Sequence, residues 1–228
     1  MVKNHLQRIS APMSWRLERK NNKFVTRVDS GAHPINNSVS INTLLKEMIR
    51  VTSSTKETKF VLNNKYILIN GKPIHDIHYC VGLMDIISIT KSKQNYRVLL
   101  DSKRKLIFVN VDDQNKRVLK INNKSIIKDK KQMLHLHGGL NLLNDSQCNI
   151  GDSILFEDNV MKKIIHIKEG SYIMLTGGKN IGRFGKVVRI FEDSNIHMIE
   201  VESDKEKFIT LKEFSYVLGE NKSEIKVI

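Results

Sequence analysis

Apolar side chains recur first at helical spacing and afterwards almost only at strand spacing. From Val39 to Arg50, Ile41, Leu44, Leu45, Met48 and Ile49 fall on one face while Lys46, Glu47 and Arg50 project from the other, which predicts an amphipathic helix. A second helix is predicted to begin at Ser54. Ser54-Thr55-Lys56-Glu57 fits a capping box, the serine hydroxyl and glutamate carboxylate satisfying opposite backbone amides ahead of Phe60, Val61 and Leu62. Tyr66-Ile67-Leu68-Ile69, Asn70-Gly71 and Lys72-Pro73-Ile74 read as strand, tight turn and strand, because Asn-Gly supplies the two positive φ angles of a type I′ turn. The run from Gly82 through Ile86 to Ile89 adds a turn and another apolar strand.

Beyond this point the pattern is entirely β. Strands are predicted at Tyr96 to Leu100, Leu106 to Val111, Arg117 to Ile121, Met133 to His137, Leu140 to Leu143, Ser153 to Glu157 and Val160 to Ile167. Gly138-Gly139, Gly151-Asp152 and Asp158-Asn159 supply hairpin turns, and Asn21-Asn22 and Asn122-Asn123 read as loop. Ser171 to Gly219 alternates short β runs around a glycine-rich centre, as in a small barrel. The fold class expected is α+β, mostly β.

The first 38 residues have few apolar positions, and Lys3, Arg8, Arg16, Arg19, Lys20, Lys23 and Arg27 outnumber Glu18 and Asp29. Such a stretch cannot build its own core. Trp15 and the Ser-Ala-Pro and Ser-Gly-Ala-His-Pro turns predict an extension that orders against something, and RNA is expected, since phosphates neutralise a basic arm.

Charge narrows the partner. The 228 residues suit several small modules, and 38 Lys and Arg against 24 carboxylates give a net charge of +14 and a pI near 9.7. A polyanion is the expected partner. Nucleic acid fits better than an anionic membrane, for which the sequence offers no amphipathic basic helix or lipid anchor. No apolar run approaches bilayer length, and MVKNHLQRISAPMSW lacks a signal-peptide core, so a cytosolic location is expected. Cys80 and Cys148 lie far apart with no CxxC, and read as reduced, buried side chains.

The most informative segment is Gly177-Gly178-Lys179-Asn180-Ile181-Gly182-Arg183-Phe184-Gly185-Lys186-Val187-Val188. A P-loop would need glycine at Asn180 and Ser or Thr at Val187, and the dinucleotide fingerprint also fails at Asn180. What remains is a turn in which Gly178, Gly182 and Gly185 permit sharp bends while Lys179, Arg183 and Lys186 stand between them, a combination suited to phosphate or the sugar edge of RNA. A plain barrel turn with solvated charges is the alternative. Lys56, Lys59, Lys65 and Lys72 lie on the capped helix or its hairpin, and Lys46 and Arg50 on the helix before. They could present several cations to one RNA backbone, or simply be the wet face of a helix. Lys103-Arg104-Lys105, Lys116-Arg117, Lys128 and Lys130-Lys131 fall mostly in predicted turns, whose tips can reach phosphate without disturbing a core.

His75-x-x-His78 and His135-x-His137 lack a Cys or carboxylate at ligand spacing, so neither metal nor cofactor is expected. Asp85 and Asp112-Asp113 are the only carboxylates near basic clusters, and nothing in the sequence pairs them with a base or nucleophile; no enzymatic activity is expected.

Three segments together resemble the archaeal and eukaryotic small-subunit ribosomal protein family S-four-e. His5-Leu6-Gln7-Arg8-Ile9-Ser10-Ala11-Pro12 with Trp15 looks like its opening, Ile69-Asn70-Gly71-Lys72 through Ile89 like its S-four-type RNA-binding module, and Thr176 through Gly185 like its KOW-type barrel motif. The resemblance implies a basic extension (1–38), an S-four-type domain (39–101), a central β domain (102–168) and a KOW-type barrel with a short tail (169–228). It also implies small-subunit ribosomal RNA and neighbouring ribosomal proteins as partners, no small-molecule substrate, the cytosolic ribosome, and nucleolar assembly in a eukaryote. On it, His5, Arg8, Trp15, Arg16, Arg19 and Lys20 join the cations above as expected RNA contacts. The family's basic tail has no counterpart soon after Tyr216-Val217-Leu218-Gly219, and Met13, Ser14 and His137-Gly138-Gly139 depart from its pattern. An RNA-modifying enzyme's accessory module and a KOW-type transcription or translation factor are the alternatives.

Overall fold

The structure is a computed structural model that describes residues 5–112, 115–127, 131–144, 147–193, 196–203 and 206–227. Contacts divide the chain into two units, one of Met1–Leu99 and Arg104–Gln114, the other of Leu100–Lys103 and Asn115–Ile228. Both are dominated by antiparallel sheet, and the fold is α+β, mostly β.

In the first unit β1 (His5–Gln7) pairs with β2 (Phe24–Thr26), and the segment orders against the protein itself. Ala11, Trp15, Val25 and Val28 are buried. The Trp15 indole donates to the Ser38 carbonyl at 2.6 Å, and the Leu106 amide donates to the Ser14 carbonyl at 2.9 Å. An indole of this size buries about 150–250 Å², a gross gain of about 4–6 kcal/mol at about 25 cal/mol per Å². The poorly apolar segment thus borrows a core it cannot build.

Val39 lies in β3 (Ser38–Ser40), not in the first helix. α1 (Ile41–Thr43) begins where the Ser40 hydroxyl accepts from the Thr43 amide, and it widens at once into a π turn, Leu44–Met48. Its i→i+5 bond, Ile49 amide to Leu44 carbonyl, is 2.9 Å, and the adjacent Leu44 and Leu45 are both fully buried. α2 (Thr55–Asn63) is capped by the Ser54 hydroxyl as predicted. The reciprocal half differs in detail: the Glu57 carboxylate accepts from the amide and hydroxyl of Ser53, which hold it below the usual carboxylate range.

β4 (Ile67–Ile69) and β5 (Lys72–Pro73) flank Asn70 and Gly71, whose φ angles of 53° and 78° make the predicted I′ turn. β6 (Cys80–Gly82) pairs with β3, and β7 (Ile86–Ile89), β8 (Gln94–Leu100) and β9 (Leu106–Asn110) complete a five-stranded sheet in the order β5-β4-β7-β8-β9. Pro73, which has no amide proton to donate, sits on the edge strand.

In the second unit β10 (Lys116–Ile126) serves two ladders. Lys116 to Lys120 pair with β13 (Ser153–Glu157), and from Ile121 onward β10 pairs with β11 (Gln132–Leu136) across an irregularity between Ile121 and Asn123. Asn122-Asn123 are therefore strand, not loop. β12 (Asn141–Leu143) and β14 (Val160–Ile165) are the outer strands. The predicted turns are present: Gly138 and Gly139 have φ of 85° and 72°, Asp158 and Asn159 of 52° and 63°. The C-terminal sheet comprises β15 (Tyr172–Leu175), β16 (Phe184–Asp193), β17 (Ile196–Ser203), β18 (Glu206–Leu211) and β19 (Ser215–Gly219), in the order β18-β17-β16-β15-β19. It forms a half-barrel whose core of Ile173, Leu175, Val187, Ile199, Val201 and Val217 also takes in Ile165 and Ile167.

Within this unit Tyr216 joins the two sheets. Its hydroxyl donates to the Val118 carbonyl at 2.8 Å and accepts from the Lys120 amide at 3.3 Å, while His137 meets its ring edge-on at 5.5 Å. Lys120, 8% exposed, donates its ammonium to the Glu213 carbonyl. Burial pushes that ammonium down to about 8, against the opposing pull of Glu213.

Candidate nucleic-acid interface

In the first unit the expected contacts separate into groups held inward and cations left in solvent. Arg8 is held inward, its guanidinium donating two 2.6 Å bonds to the Glu47 carboxylate and a 3.3 Å bond to the Glu18 carbonyl. The bond to Glu47 raises its pKa further. Trp15 is committed to Ser38. Arg19 is half-buried and gathers the carbonyls of Ile9, Ala11 and Pro12 at 2.9–3.1 Å, so it shapes the loop that exposes Ile9 and Met13.

His5, Arg16 and Lys20 are exposed. His5 packs edge-on against Phe24 at 5.0 Å, and Lys23 lies 5.4 Å from the same ring. His5 and Phe24, with the half-buried Lys46, border a cavity of about 300 Å³ that Arg8 and Glu47 also line. Sequence reasoning had not joined Lys23 to Phe24. Their adjacency in an otherwise polar arm was the available signal.

Lys56 and Lys59 are exposed on α2, Lys65 just past its end at φ 58°, Lys72 beside the I′ turn and Arg50 after the π turn at φ 62°. Each of these two left-handed cations follows the C-terminus of a helical segment, the π turn for Arg50 and α2 for Lys65, where a chain reversal takes positive φ. Lys91 lies 4.1 Å from the Tyr66 ring centroid, an exposed cation–π pair the sequence reading did not single out. Lys103, Arg104 and Lys105 are exposed around a turn in which Arg104 has φ 59°. Lys128 and Lys130 lie outside the described residues.

The turn from Gly82 to Asp85 is pinned by Asp85, for which the sequence suggested no partner base. The structure corrects that: His33 lies 3.1 Å from the Asp85 carboxylate, which also accepts from the Gly82 amide at 2.8 Å and the Asn70 side-chain amide at 2.7 Å. Burial alone would raise this carboxyl, and the bonds from His33, Gly82 and Asn70 outweigh it, so it titrates below the usual range. The Asn70 carbonyl oxygen accepts from the Ile86 amide at 3.0 Å, so one side chain ties the hairpin turn to β7. A Cβ on Gly82 would stand 2.2 Å from the His33 ring, which explains glycine there. Neither side chain of the pair is exposed, and the arrangement serves to fix two turns. Of the two histidine pairs, His78 bonds the Arg27 carbonyl, and both ring nitrogens of His135 lie within 2.9 Å of Ser125 and Asn141.

In the second unit the glycine-rich turn runs from Thr176 to Arg183. Gly178 and Gly182 both have φ 76°, and a Cβ on Gly182 would lie 2.4 Å from the Asp101 carbonyl carbon. Gly185 lies against β17, where a Cβ would meet the Glu202 carbonyl oxygen at 2.6 Å. These glycines act through close approach within the protein. Around them Lys179, Arg183 and Lys186 are exposed and Asn180 is half-buried. Arg183 pairs with Glu206 at 2.9 Å, and Lys186 stands opposite Glu202 in the ladder. Lys179, Asn180, Arg183, Glu206, Lys207 and Phe208 enclose an open cavity of about 570 Å³. Lys207 and Phe208 come from β18, and only the tertiary fold places them beside the turn.

Chemically, these surfaces are clusters of ammonium and guanidinium groups with a few aromatic faces, suited to backbone phosphate and sugar. Among the described residues no three His, Cys, Asp or Glu side chains are grouped as a metal site would require, and no helix is long and apolar enough to cross a membrane.

Two family models match the chain: "Ribosomal family S4e" over residues 92–164 and "RS4NT (NUC023) domain" over residues 2–36. Among curated proteins, the small ribosomal subunit protein eS4 of Methanosphaera stadtmanae is 30% identical, covering 99% of this chain and 96% of its own. That of Methanocaldococcus jannaschii is 31% identical over 99% and 98% respectively. The crystal structure of the 30S ribosomal protein S4e from Thermoplasma acidophilum superposes with a TM-score of 0.70 over 80% of this chain and 95% of that one, at 21% identity.

Proposed function

The chain belongs to the ribosomal S4e family, and from that premise we propose that it is a structural constituent of the cytosolic small ribosomal subunit, binding small-subunit ribosomal RNA and adjoining neighbouring proteins of that subunit. The observation that carries the reading is the end-to-end likeness to small-subunit proteins. A net charge of +14 on a chain with exposed cations in both units supports it.

In this reading His5, Arg16, Lys20, Lys46, Arg50, Lys56, Lys59, Lys65, Lys72, Lys103, Arg104, Lys105, Lys179, Asn180, Arg183 and Lys186 meet RNA phosphate and sugar. Arg8, Trp15, Arg19, Gly178, Gly182 and Gly185 shape the surfaces that present them. Residues 1–38, 39–101, 102–168 and 169–228 act as extension, S-four-type module, central β domain and KOW-type module. RNA is positioned by backbone contact and shape. The protein performs no chemistry, a reading supported by the tie of Asp85 and His33 to structural turns. Assembly is nucleolar if the source is eukaryotic.

Sedimentation of small subunits through a high-salt gradient tests this. An integral constituent stays with the subunit. Quantitative release, as for a factor that cycles on and off, would refute the proposal.

A further inference from the structure

A pocket of about 500 Å³ lies in the second unit and shares no lining residue with the cavity beside the glycine-rich turn. Its floor includes the buried Asp152, Cys148 and Ile167, and its polar walls carry Lys124, Lys168 and Lys212. The three lysines come from distant parts of the chain: Lys124 from the second half of β10, Lys168 from the connection after β14, and Lys212 from the 3₁₀ turn before β19. Lys168 is set by its amide, which donates to the Ser171 hydroxyl at 2.9 Å. The Lys212 stem passes Gly151, where a Cβ would stand 3.9 Å from it.

Among the described residues, the pocket's one lining carboxylate, Asp152, is already engaged. One Asp152 oxygen accepts from the Ile167 amide at 3.0 Å, and the other from the Asn149 amide at 2.8 Å and lies 2.7 Å from His166 Nδ1. With 1% of its surface exposed, Asp152 organises the floor and offers little to a ligand. Glu220, which feels the field of Lys168 and His166, is paired with Lys163 at 2.9 Å. Three lysines therefore line one polar recess in which, among the described residues, the one lining carboxylate is already engaged. Lysines from three distant segments lining one recess favour a bound anion over a cation. The volume falls in the range of about 300–1,000 Å³ typical of ligand pockets, but the lining is polar and cationic, which selects an anion over an apolar molecule.

We propose that Lys124, Lys168 and Lys212 form a phosphate-binding pocket that seats the backbone of small-subunit ribosomal RNA, a contact separate from the glycine-rich turn. The proposal rests on the reading of the chain as an RNA-binding ribosomal protein. Each lysine acts as a point charge on a flexible stem, so the pocket holds phosphate without reading a base.

The test uses the full chain and an in vitro transcript of small-subunit ribosomal RNA. Acetylation of surface lysines, read by mass spectrometry with and without the transcript, should show Lys124, Lys168 and Lys212 protected at least several-fold by RNA. K124Q/K168Q/K212Q should bind at least ten-fold more weakly at about 0.1 M salt, its log–log salt slope shallower by about 1–2 for one or two lost phosphates at about 0.7–0.9 each. Protection in the unaltered protein stands even where the triple variant folds poorly. If the unaltered protein binds the transcript in a salt-dependent way while the three lysines stay fully reactive, the pocket is refuted and the wider reading survives. If it does not bind at all, the wider reading fails first. Protection by inorganic phosphate alone, with none from the transcript, would identify a free-anion site and overturn the RNA assignment.

Discussion

Lys120 offers the sharpest test of the packing between the two sheets of the second unit. The residue is 8% exposed, and its ammonium is depressed from 10.5 to about 8 chiefly by burial. The difference of about 2.5 pH units, at about 1.36 kcal/mol each, is roughly 3 kcal/mol of preference for the neutral form. The folded pKa lies below the unfolded one, so between about pH 8 and 10.5 the unfolded chain binds more protons and stability rises with pH. Below about pH 8 both states are charged and the full cost is present.

Lys120→Met removes the buried charge and keeps the volume of the stem. It also removes a charge-assisted hydrogen bond to the Glu213 carbonyl, worth about 1.5 kcal/mol net. The variant should therefore be more stable by about 2 kcal/mol near pH 7, and the advantage should vanish toward about pH 10. Urea unfolding followed by far-ultraviolet circular dichroism across this range measures the difference curve, in which the other titrating lysines and tyrosines cancel. A difference that stays constant with pH would refute the assignment. So would a Met variant several kcal/mol less stable at neutral pH, which would make the Glu213 contact outweigh desolvation.

Glu47→Gln should destabilise the first unit by about 1–3 kcal/mol, because the bidentate charge-assisted bonds to the inward Arg8 are lost; thermal melts of the variant measure it. Asp85→Asn should cost about 1.5–3 kcal/mol at neutral pH by removing the buried carboxylate that bonds His33, Gly82 and Asn70. Because Asp85 titrates below its unfolded value, its stabilisation is present above about pH 4 and is lost as pH falls through the folded value, so the difference between wild type and variant should shrink in acid. Gly182→Ala should cost at least about 1–2 kcal/mol from φ 76° alone, with more from the approach to Asp101, whereas Gly170→Ala, at φ 87° with only a 3.6 Å neighbour, should cost the backbone term and little else. Equal losses for the two, in parallel urea titrations, would show that close approach does not matter at Gly182.

Local rules were enough for much of the architecture. Ser54 caps α2, Asn70-Gly71 and Asp158-Asn159 turn hairpins, and most strand positions emerged from alternation, because these features depend on a few neighbouring residues. Net charge and three short motifs likewise pointed to RNA and the ribosome without any coordinates. The sequence could not reveal where each cation ends up. Arg8 and Lys20 belong to the same basic arm and read alike, yet one is turned inward onto Glu47, 39 residues away, and the other stands in solvent. The π turn at Leu44–Met48, the double ladder of β10 and the pairing of Asp85 with His33, 52 residues apart, are likewise set by packing between distant segments. The sequence by itself determined the elements and the sign of the charge. Only the tertiary structure decided which charges are neutralised within the protein and which, as at Lys124, Lys168 and Lys212, gather where a phosphate can answer them, because electrostatic energy depends on separation in space and not along the chain.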